Sequence, residues 1–376
     1  MKYSISICCL AFLSNTLFCQ NPDYVLNSKK FRSPPTAVDI SPDKKWILTG
    51  LEDGTLDLLD SKTLELELEV KEAGTAAIYD IEMSPKMDVI FIASRNRIIL
   101  YDTSGNHITS WPFHKNTIWS MDINNTGDYM ISTEVNKTFQ LIDIYEGKIE
   151  QSMRAHDDIT LAVAFSPDGK TIASGSNDKK VFLWDAETKE VTDEFYGLSD
   201  DIYDLAFSPD GKLIAACSKD KTVRIWRIAD HKLLHLIKGH QDIVLEIEFS
   251  PNGKYLLSAS ADQAIKLWDV SSGEQLYAYL ENEAAVTDIE FLPDGNSFVS
   301  VCMDGYLKKW AIHPEIFVLK YYPKEYEKEL IGNPIFLPRQ KGEKKDTFEK
   351  RLEEARSEKE KIISKYYIRY LEHKPE

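Results

Sequence analysis

The sequence predicts an all-β fold, a seven-bladed β-propeller that is followed by an extended and helical C-terminal tail. Two markers support this prediction, because both recur at the same interval of 42 residues. One is a tryptophan that ends an apolar stretch, and the other is a Ser-Pro-Asp-Gly turn or a close variant of it. A repeat of this length is typical of propeller blades. The tryptophans are Trp184, Trp226, Trp268 and Trp310, and the turns begin at Ser166, Ser208, Ser250 and Leu292.

The same interval continues upstream in weaker form, which gives seven repeats without a gap. Tyr24–Asn27 has the position of a fourth strand without a blade of its own, whereas the last repeat ends after its third strand near Ile312. We therefore expect Tyr24–Asn27 to complete the seventh blade and close the ring, which leaves short and protected sheet edges. The upstream turns begin at Ser41, Ser84 and Asn124, and the tryptophan position holds Leu59, Tyr101 and Ile142.

The fourth repeat shows the four strands expected of one blade. Leu161–Phe165 is an apolar run that ends at the turn of Ser166, where proline suits the second turn position and glycine a positive φ. Thr171–Gly175 and Val181–Trp184 are predicted as the next two strands. Glu190–Phe195 alternates like an outer strand that faces solvent.

These repeats resemble WD40 repeats over about Tyr24 to Ile312. The resemblance implies a buried network in each well-kept blade, made by a His before the first strand, a Ser or Thr in the second, an Asp in the next turn and the Trp. Such polar groups are costly to bury unless each has a partner. Because the set recurs at the repeat interval, we interpret it as structural, since a catalytic triad would occur once. Two repeats match fully, with His156, Ser174, Asp178 and Trp184 in one and His240, Ser258, Asp262 and Trp268 in the other.

The resemblance also implies a contact surface on the top rim of the ring, near the mouth of the channel. WD40 propellers place there the residue that lies five positions after the blade His. Exposed aromatic side chains in a cluster are typical of protein contact surfaces, although some of these rings could instead fold down and cap the channel. The rim positions are Thr36, Tyr79, Trp119, Leu161, Tyr203, Leu245 and Thr287, and the predicted partner-binding residues are Tyr79, Trp119, Leu161, Tyr203 and Leu245.

The net charge of −16 makes nucleic acid a poor candidate partner, because an acidic surface repels phosphates. The acidic charge belongs to the repeats, since Lys and Arg outnumber Asp and Glu after residue 320. Beyond the N-terminus no apolar run is long enough to span a membrane, so we expect no transmembrane segment in the mature chain.

Residues 1–19 have the pattern of a bacterial-type signal peptide, with Lys2 ahead of a short apolar core. We therefore expect cleavage after Cys19 and export to the periplasm or the extracellular space. The alternative is a lipoprotein anchored through Cys19, which the bulky Phe18 disfavours. After cleavage Cys217 and Cys302 remain, in blades that do not adjoin, and we expect both thiols to be free and buried.

The chain is thus divided into the signal peptide, a propeller over residues 20–313, a proline-containing linker over residues 314–345 and an amphipathic helical tail over residues 346–376. The prolines of the linker predict extended segments, in which Ile316–Leu319 is the single strand-like run. Asp346 and Glu349 form a variant of a capping box at the start of the tail helix. Two interpretations of this helix stay open, namely that it packs on its own propeller or that it docks a partner. Its apolar face holds Phe348, Leu352, Ala355, Ile362, Ile363, Tyr366 and Tyr370.

No phosphate-binding loop, HExxH, CxxC or GxSxG motif occurs in the sequence. We therefore expect no catalytic residue, no metal and no cofactor, and predict a non-catalytic scaffold that binds a protein or peptide. One alternative is a propeller hydrolase or lactonase with a site in the channel, which requires His, Asp or Glu to converge there from several blades. Another is the recognition subunit of a larger complex.

Overall fold

The computed structural model describes residues 24–74, 76–336 and 345–373. These residues divide into two compact units, one made by residues 27–310 and the other by residues 24–26 together with those from 311 onward. The first unit contains the blades. Within it, the predicted seven-bladed propeller is confirmed, because the described strands form seven sheets of four strands each.

Blades 1 to 6 are four-stranded meanders whose strands follow one another in sequence. The first strand of the chain, β1, spans Val25–Lys30. Blades 1 to 3 contain β2 (Pro35–Ile40), β3 (Trp46–Leu51), β4 (Leu56–Asp60), β5 (Leu66–Val70), β6 (Ile78–Met83), β7 (Val89–Ser94), β8 (Arg97–Asp102), β9 (His107–Trp111), β10 (Met121–Ile123), β11 (Tyr129–Thr133), β12 (Phe139–Asp143) and β13 (Lys148–Met153).

The later blades follow the same order. Blades 4 to 6 contain β14 (Thr160–Phe165), β15 (Thr171–Ser176), β16 (Val181–Asp185), β17 (Val191–Phe195), β18 (Ile202–Phe207), β19 (Leu213–Ser218), β20 (Thr222–Arg227), β21 (Lys232–Lys238), β22 (Val244–Phe249), β23 (Tyr255–Ser260), β24 (Ile265–Asp269) and β25 (Gln275–Tyr279). A short 3₁₀ turn at Ile228–Asp230 precedes β21. Blade 7 contains β26 (Val286–Phe291), β27 (Ser297–Cys302) and β28 (Tyr306–Ala311).

The N-terminal strand closes the ring, as predicted. The seventh sheet has the order β1, β28, β27, β26, so that β1 supplies the outer strand that the last repeat lacks. Immediately after β1, the Phe31 N–H donates to the Gly305 carbonyl at 2.9 Å. The ends of the repeat array therefore share one sheet.

The Ser-Pro-Asp-Gly marker is explained by the turn between the first two strands of a blade. In blade 4 the Ser166 hydroxyl donates to Asp168 at 2.7 Å and accepts the Thr171 N–H at 2.9 Å. Gly169 has a φ of 70° and its N–H donates to the Ser166 carbonyl. Serine and aspartate thus tie the turn, and glycine takes the left-handed conformation that it tolerates best.

Adjacent blades bury their apolar faces against each other. Between blades 4 and 5, Leu183 and Phe195 share one buried cluster with Ile202 and Trp226. The blades approach so closely that a Cβ on Gly175 would lie 2.7 Å from Ile202. The core is therefore a ring of interfaces between sheets.

The tail unit corrects the prediction for residues 314–345. Helix α1 spans Pro314–Tyr321 and helix α2 spans Pro323–Gly332, so that Ile316–Leu319 is helical and the prediction of a strand-like run in an extended linker was wrong. The reason is that each proline lies at the start of its helix, where the missing N–H has no helical partner to lose. A 3₁₀ turn follows at Pro334–Phe336.

The long helix α3 spans Lys345–His373. The side chain of Asp346, and with it the predicted capping box, lies outside what the structure describes. Ile362, Ile363 and Tyr366 from the predicted apolar face pack with Val318 of α1 and Tyr326 of α2. The upstream helices thus cover part of this face, which neither interpretation of the sequence had considered.

A buried polar contact joins the tail helices. The Glu315 carboxylate accepts the Tyr326 hydroxyl at 2.6 Å and pairs with the Lys359 ammonium at 2.9 Å. Burial and the nearby Glu315 raise the pKa of Tyr326, so this phenol stays protonated and donates. The contact gives α1, α2 and α3 a specific alignment.

The predicted signal peptide, residues 1–19, lies outside the described residues. Cys217 and Cys302 are buried and form no disulfide. Burial raises the pKa of Cys302 to about 11, which keeps its thiol protonated and unreactive at neutral pH. None of the helices in the described part of the chain is long and apolar enough to cross a membrane.

Candidate functional site: the aromatic rim and the acidic channel

In blades 4 and 6 the structure joins the four network side chains predicted from the sequence. The His156 imidazole contacts the Asp178 carboxylate at 3.0 Å and the Ser174 hydroxyl at 2.8 Å. The Trp184 indole N–H donates to the same hydroxyl at 2.8 Å. Each polar group in this buried set thus has a partner. In blade 6 the corresponding contacts link His240, Asp262, Ser258 and Trp268 at 2.7 to 3.0 Å.

The network aspartates are held ionised. Burial alone would raise the pKa of Asp262, but hydrogen bonds from His240 and from the Gln241 N–H hold it below the ordinary value of 3.8. The pKa of Asp178 is lowered in the same way by His156 and the Asp157 N–H. These carboxylates are therefore committed to the blade, as a structural role requires.

In other blades, different residues pair with the members of the network that are present. In blade 3 His114 keeps its contact with Ser132 at 2.9 Å, and Glu134 replaces the expected aspartate, 3.6 Å from the imidazole. In blade 5 Asp220 pairs with Arg224 at 3.0 Å. Sequence reasoning did not find Glu134 or Arg224, because neither occupies a position of the four-residue pattern.

The predicted rim residues differ in how much surface they offer. Tyr79 and Trp119 are 38% and 39% exposed, and their rings stack at 5.7 Å between centroids and 23° between planes. Tyr203 and Leu245 are half-buried, and Tyr203 packs against the core between blades 5 and 6. Leu161 is 9% exposed and therefore offers little surface to a partner. The aromatic rim, as we use the term below, is the pair Tyr79 and Trp119.

A β-bulge explains why the side chain at the predicted rim position turns away from the first strand of its blade. In six blades the pairing of the first two strands shifts at this residue, as between Ile78 and Asp80 in β6. The extra residue has no partner in the ladder, and a bulge re-aims its side chain. The bulged residues are Thr36, Tyr79, Leu161, Tyr203, Leu245 and Thr287.

Below the rim, the innermost strands line a channel with acidic side chains. They stand at the first and third positions after the rim residue, as Asp80 and Glu82 do after Tyr79. Electrostatic interactions join Glu246 to Asp80 and Asp122 to Asp204 across blades that are not neighbours, so these groups face a common interior. The channel carboxylates are Asp39, Asp80, Glu82, Asp122, Asp204, Glu246, Glu248, Asp288 and Glu290.

Six of these carboxylates connect one blade to the next. Each accepts a hydrogen bond from a backbone N–H on the innermost strand of the following blade. Asp39 accepts from Met83 at 2.8 Å, for example, and Asp288 accepts from Val38 at 2.8 Å across the closure of the ring. The others are Asp80 to Met121, Asp122 to Phe165, Asp204 to Ile247 and Glu248 to Phe291.

Blade 4 interrupts this arrangement. Its two channel positions hold Ala162 and Ala164, so that no carboxylate leads from blade 4 to blade 5. No channel position of any described blade carries Lys or Arg. The acidic groups thus have no neutralising partner among the residues at these positions.

The carboxylates consequently resist ionisation. Burial, as the main cause, raises the pKa of Asp39 and of Asp122 from 3.8 to about 7, and that of Asp288 to about 8. Burial and then the neighbouring acids raise the pKa of Glu82 and Glu290 well above 4.5. Near neutral pH the channel therefore retains protons that free carboxylates would release.

Sequence reasoning did not find the channel carboxylates as a set, because Asp and Glu are also abundant in the turns. The signal was present as Asp80 and Glu82, Glu246 and Glu248, and Asp288 and Glu290, three pairs two residues apart on innermost strands. Side chains two apart on a strand share one face, so that period-two acidic pairs on an apolar strand would have revealed the channel.

Repeated blades with buried His-Ser-Asp-Trp networks around a channel define a repeat-built propeller, a class that presents its loops and rim to other molecules. The family model described as "WD40: WD domain, G-beta repeat" matches residues 21–59, 147–185, 189–227, 231–269 and 273–311, more than half of the sequence. The chain belongs to the WD40 repeat family, whose propellers are generally non-catalytic and bind proteins or peptides.

Known proteins are similar to parts of the chain. Actin-interacting protein 1-2 from Arabidopsis thaliana is 30% identical over 192 residues, which cover 48% of this chain and 30% of the relative. Pre-mRNA-processing factor 19 from Mus musculus and from Rattus norvegicus is 25% identical over 170 residues, covering 43% of this chain and 33% of each relative. The chain thus matches about a third of the length of these relatives. All three are eukaryotic and give no support to bacterial-type export.

We predict that His240→Ala destabilises the propeller. Its removal leaves the buried Ser258 hydroxyl and the Asp262 carboxylate short of a partner, which lowers the free energy of unfolding by about 1–3 kcal/mol. Denaturant unfolding measures the change. The exposed His107 offers a matched control, since His107→Ala is expected to change stability by less than about 0.5 kcal/mol. Equal stabilities of the two variants would contradict a structural role for the network.

Because the channel carboxylates have raised pKa values, we predict that the free energy of unfolding falls as pH rises from about 5.5 to about 8. A raised pKa means that the folded state binds more protons than the unfolded chain, so its advantage is lost as pH rises through the folded-state values. Asp178 and Asp262 have lowered pKa values, so they stabilise the folded state above the ordinary carboxyl pKa. Their contribution is lost only as pH falls below that range. His114, whose pKa burial lowers, acts in the opposite direction but is a single group.

Melting temperatures across this pH range test the prediction. Glu82→Gln/Glu290→Gln is expected to melt higher than the wild type at about pH 8 and to flatten the profile, because it removes two groups that resist ionisation. Glu146→Gln/Glu187→Gln, at exposed positions, serves as the charge-matched control. A wild-type profile that rises toward pH 8 would show that the channel carboxylates do not control stability.

Proposed function

We propose that this chain is a non-catalytic interaction scaffold and that it binds a protein or peptide at the aromatic rim. The observation that supports this most is the stacked and exposed pair of Tyr79 and Trp119. Large aromatic rings left on the surface of a folded domain expose apolar area that a partner can bury. Tyrosine and tryptophan are also enriched among the residues that dominate binding energy.

The geometry favours this surface over the alternative that the rings fold down to cap the channel. Both residues keep more than a third of their surface exposed. The backbone segments that carry them are linked, because the Asp80 carboxylate next to Tyr79 accepts the N–H of Met121, the first residue of β10 and two residues after Trp119. A pair fixed in this way loses little conformational freedom when a partner binds.

Membership of the family and the relatives are consistent with a scaffold. One relative is named as an actin-interacting protein and another as a pre-mRNA-processing factor, and a role as the recognition subunit of a complex belongs to the same proposal. The match covers about a third of each relative, so the proposal takes from these names the class of protein and not the partner.

A channel hydrolase is the second candidate, since acidic residues do converge on the channel from several blades. Six of the carboxylates are, however, hydrogen bonded to backbone amides, which gives them a structural partner. No group of three or more His, Cys, Asp or Glu in the described residues has the arrangement of a metal site. Binding at the aromatic rim is therefore better supported than catalysis in the channel.

The rim predicts a specific loss of binding. Tyr79→Ala/Trp119→Ala is expected to weaken capture of a partner by about 2 kcal/mol or more, because truncating a central aromatic removes the apolar area that the partner buries. Biolayer interferometry with the partner identified by affinity purification measures the change. Tyr145→Ala, at an exposed tyrosine outside the rim, is the control. Unchanged binding with an unchanged melting temperature would place the contact elsewhere, with the helix α3 as the next candidate.

We also propose that the chain is exported, on the basis of residues 1–19 alone, with attachment through Cys19 as the minor alternative. N-terminal sequencing of the mature protein is expected to begin at Gln20, because cleavage is predicted after Cys19. A mature chain that begins at Met1 would contradict export by this route. A blocked, lipid-modified Cys19 would identify a lipoprotein instead.

A further inference from the structure

The aromatic rim stands directly over the acidic channel. Tyr79 is followed at once by the channel residue Asp80, and Trp119 lies three residues ahead of the channel residue Asp122. The Asp80 carboxylate spans the two strands by accepting the Met121 N–H at 2.5 Å. A side chain that lies against the rings therefore enters a region lined by carboxylates.

The channel carboxylates have few opposite charges near them. Glu82 and Glu290 accept no hydrogen bond from the described residues, and the charges that act on them come from other acids. Arg95 is exposed and its carbonyl accepts the Ile118 N–H, next to Trp119 in the sequence, and Lys219 is paired with Asp201 at 3.1 Å. No Lys or Arg is among the main influences on the pKa of the nine channel carboxylates, so the surface is complementary to positive charge.

We infer that the partner presents a lysine or arginine side chain to the propeller, with its aliphatic stem against Tyr79 and Trp119 and its charge directed toward the channel carboxylates. The inference rests on the proposed function and adds the chemistry of the partner. Lysine and arginine suit both halves of the surface, because they combine an apolar stem with a charged end and are attracted to aromatic faces. A neutral or acidic peptide would leave the channel without a counter-charge.

The inference has a consequence that a purely apolar contact lacks. A bound cation favours ionised carboxylates and lowers their pKa, so binding releases protons and the affinity rises with pH. Lysine and arginine remain charged throughout the range in which the channel titrates, so the pH dependence reports on the channel groups. Higher salt is expected to weaken binding by screening the attraction.

An unbiased library of displayed random peptides, selected against the wild-type protein, tests the partner chemistry without assuming a ligand. Enriched peptides are expected to share a central Lys or Arg. Their affinity is expected to fall about 30-fold or more in Tyr79→Ala/Trp119→Ala, the effect of losing a binding hot spot. Tyr79→Leu/Trp119→Leu, which keeps apolar volume and removes the rings, provides a second variant in case the alanine protein does not fold.

The channel is tested separately with Glu82→Gln/Glu290→Gln. The wild type is expected to bind the enriched peptides more tightly at about pH 8 than at about pH 6, and the variant is expected to lose most of this dependence and about fivefold in affinity at the higher pH. Glu146→Gln/Glu187→Gln, with the same change of net charge at exposed positions, is expected to bind like the wild type. Circular dichroism melts establish that each variant is folded.

The possible results separate the two proposals. Basic peptides that need the rim and bind more tightly as pH rises support the inference. Peptides that need the rim but are neutral or acidic, or whose affinity is independent of pH, overturn the inference and leave the interaction scaffold in place. Selection that yields no rim-dependent peptide overturns both.

Discussion

The innermost strand of every blade is the free edge of its sheet, and the fold depends on how the N–H groups of that edge are satisfied. An unpaired strand edge in a narrow interior has neither a neighbouring strand nor bulk water to accept its hydrogen bonds. Here a carboxylate from one blade accepts an N–H of the next, as Asp39 does for Met83. Blades that share no β-ladder are thus linked by side-chain acceptors.

This solution places many acidic groups in one small space. Six of the nine carboxylates satisfy an amide, and every one of the nine raises the free energy of ionising its neighbours. The raised pKa values of Asp39, Asp122 and Asp288 are the result. Assembly of the ring and the electrostatic character of its channel therefore follow from the same side chains.

The features that depend on local spacing could be predicted from the sequence. Trp184 and Ser166 gave the repeat length, and the unpaired strand at Tyr24–Asn27 gave the closure, because turns, strand alternation and the indole position repeat with little variation. The tail was harder. Ile316–Leu319 has the composition of a strand, and the adjacent Pro314 begins a helix instead, which becomes evident when contacts with α2 and α3 are known.

The candidate site could be predicted only in part, since it depends on three-dimensional neighbours. Tyr79 and Trp119 were identified by position, but the stacking of their rings and the burial of Leu161 depend on neighbours that only the folded ring provides. In blade 3, Glu134 takes the role of the network aspartate from two residues upstream of Asn136, which has the aspartate's place in the repeat. The channel carboxylates are far apart in the sequence, and their mutual repulsion exists only after the ring forms.

Because blade 4 has two alanines at its channel positions, the acidic side chains are distributed unevenly around the channel. Blades 6, 7, 1 and 2 carry most of the acidic side chains, whereas Ala162 and Ala164 make the opposite wall neutral. The minimum of the electrostatic potential therefore lies off the ring axis, toward the acidic wall. That wall includes blade 2, which carries Tyr79. A ring of seven similar repeats thus has a single preferred orientation for any charged molecule at its mouth.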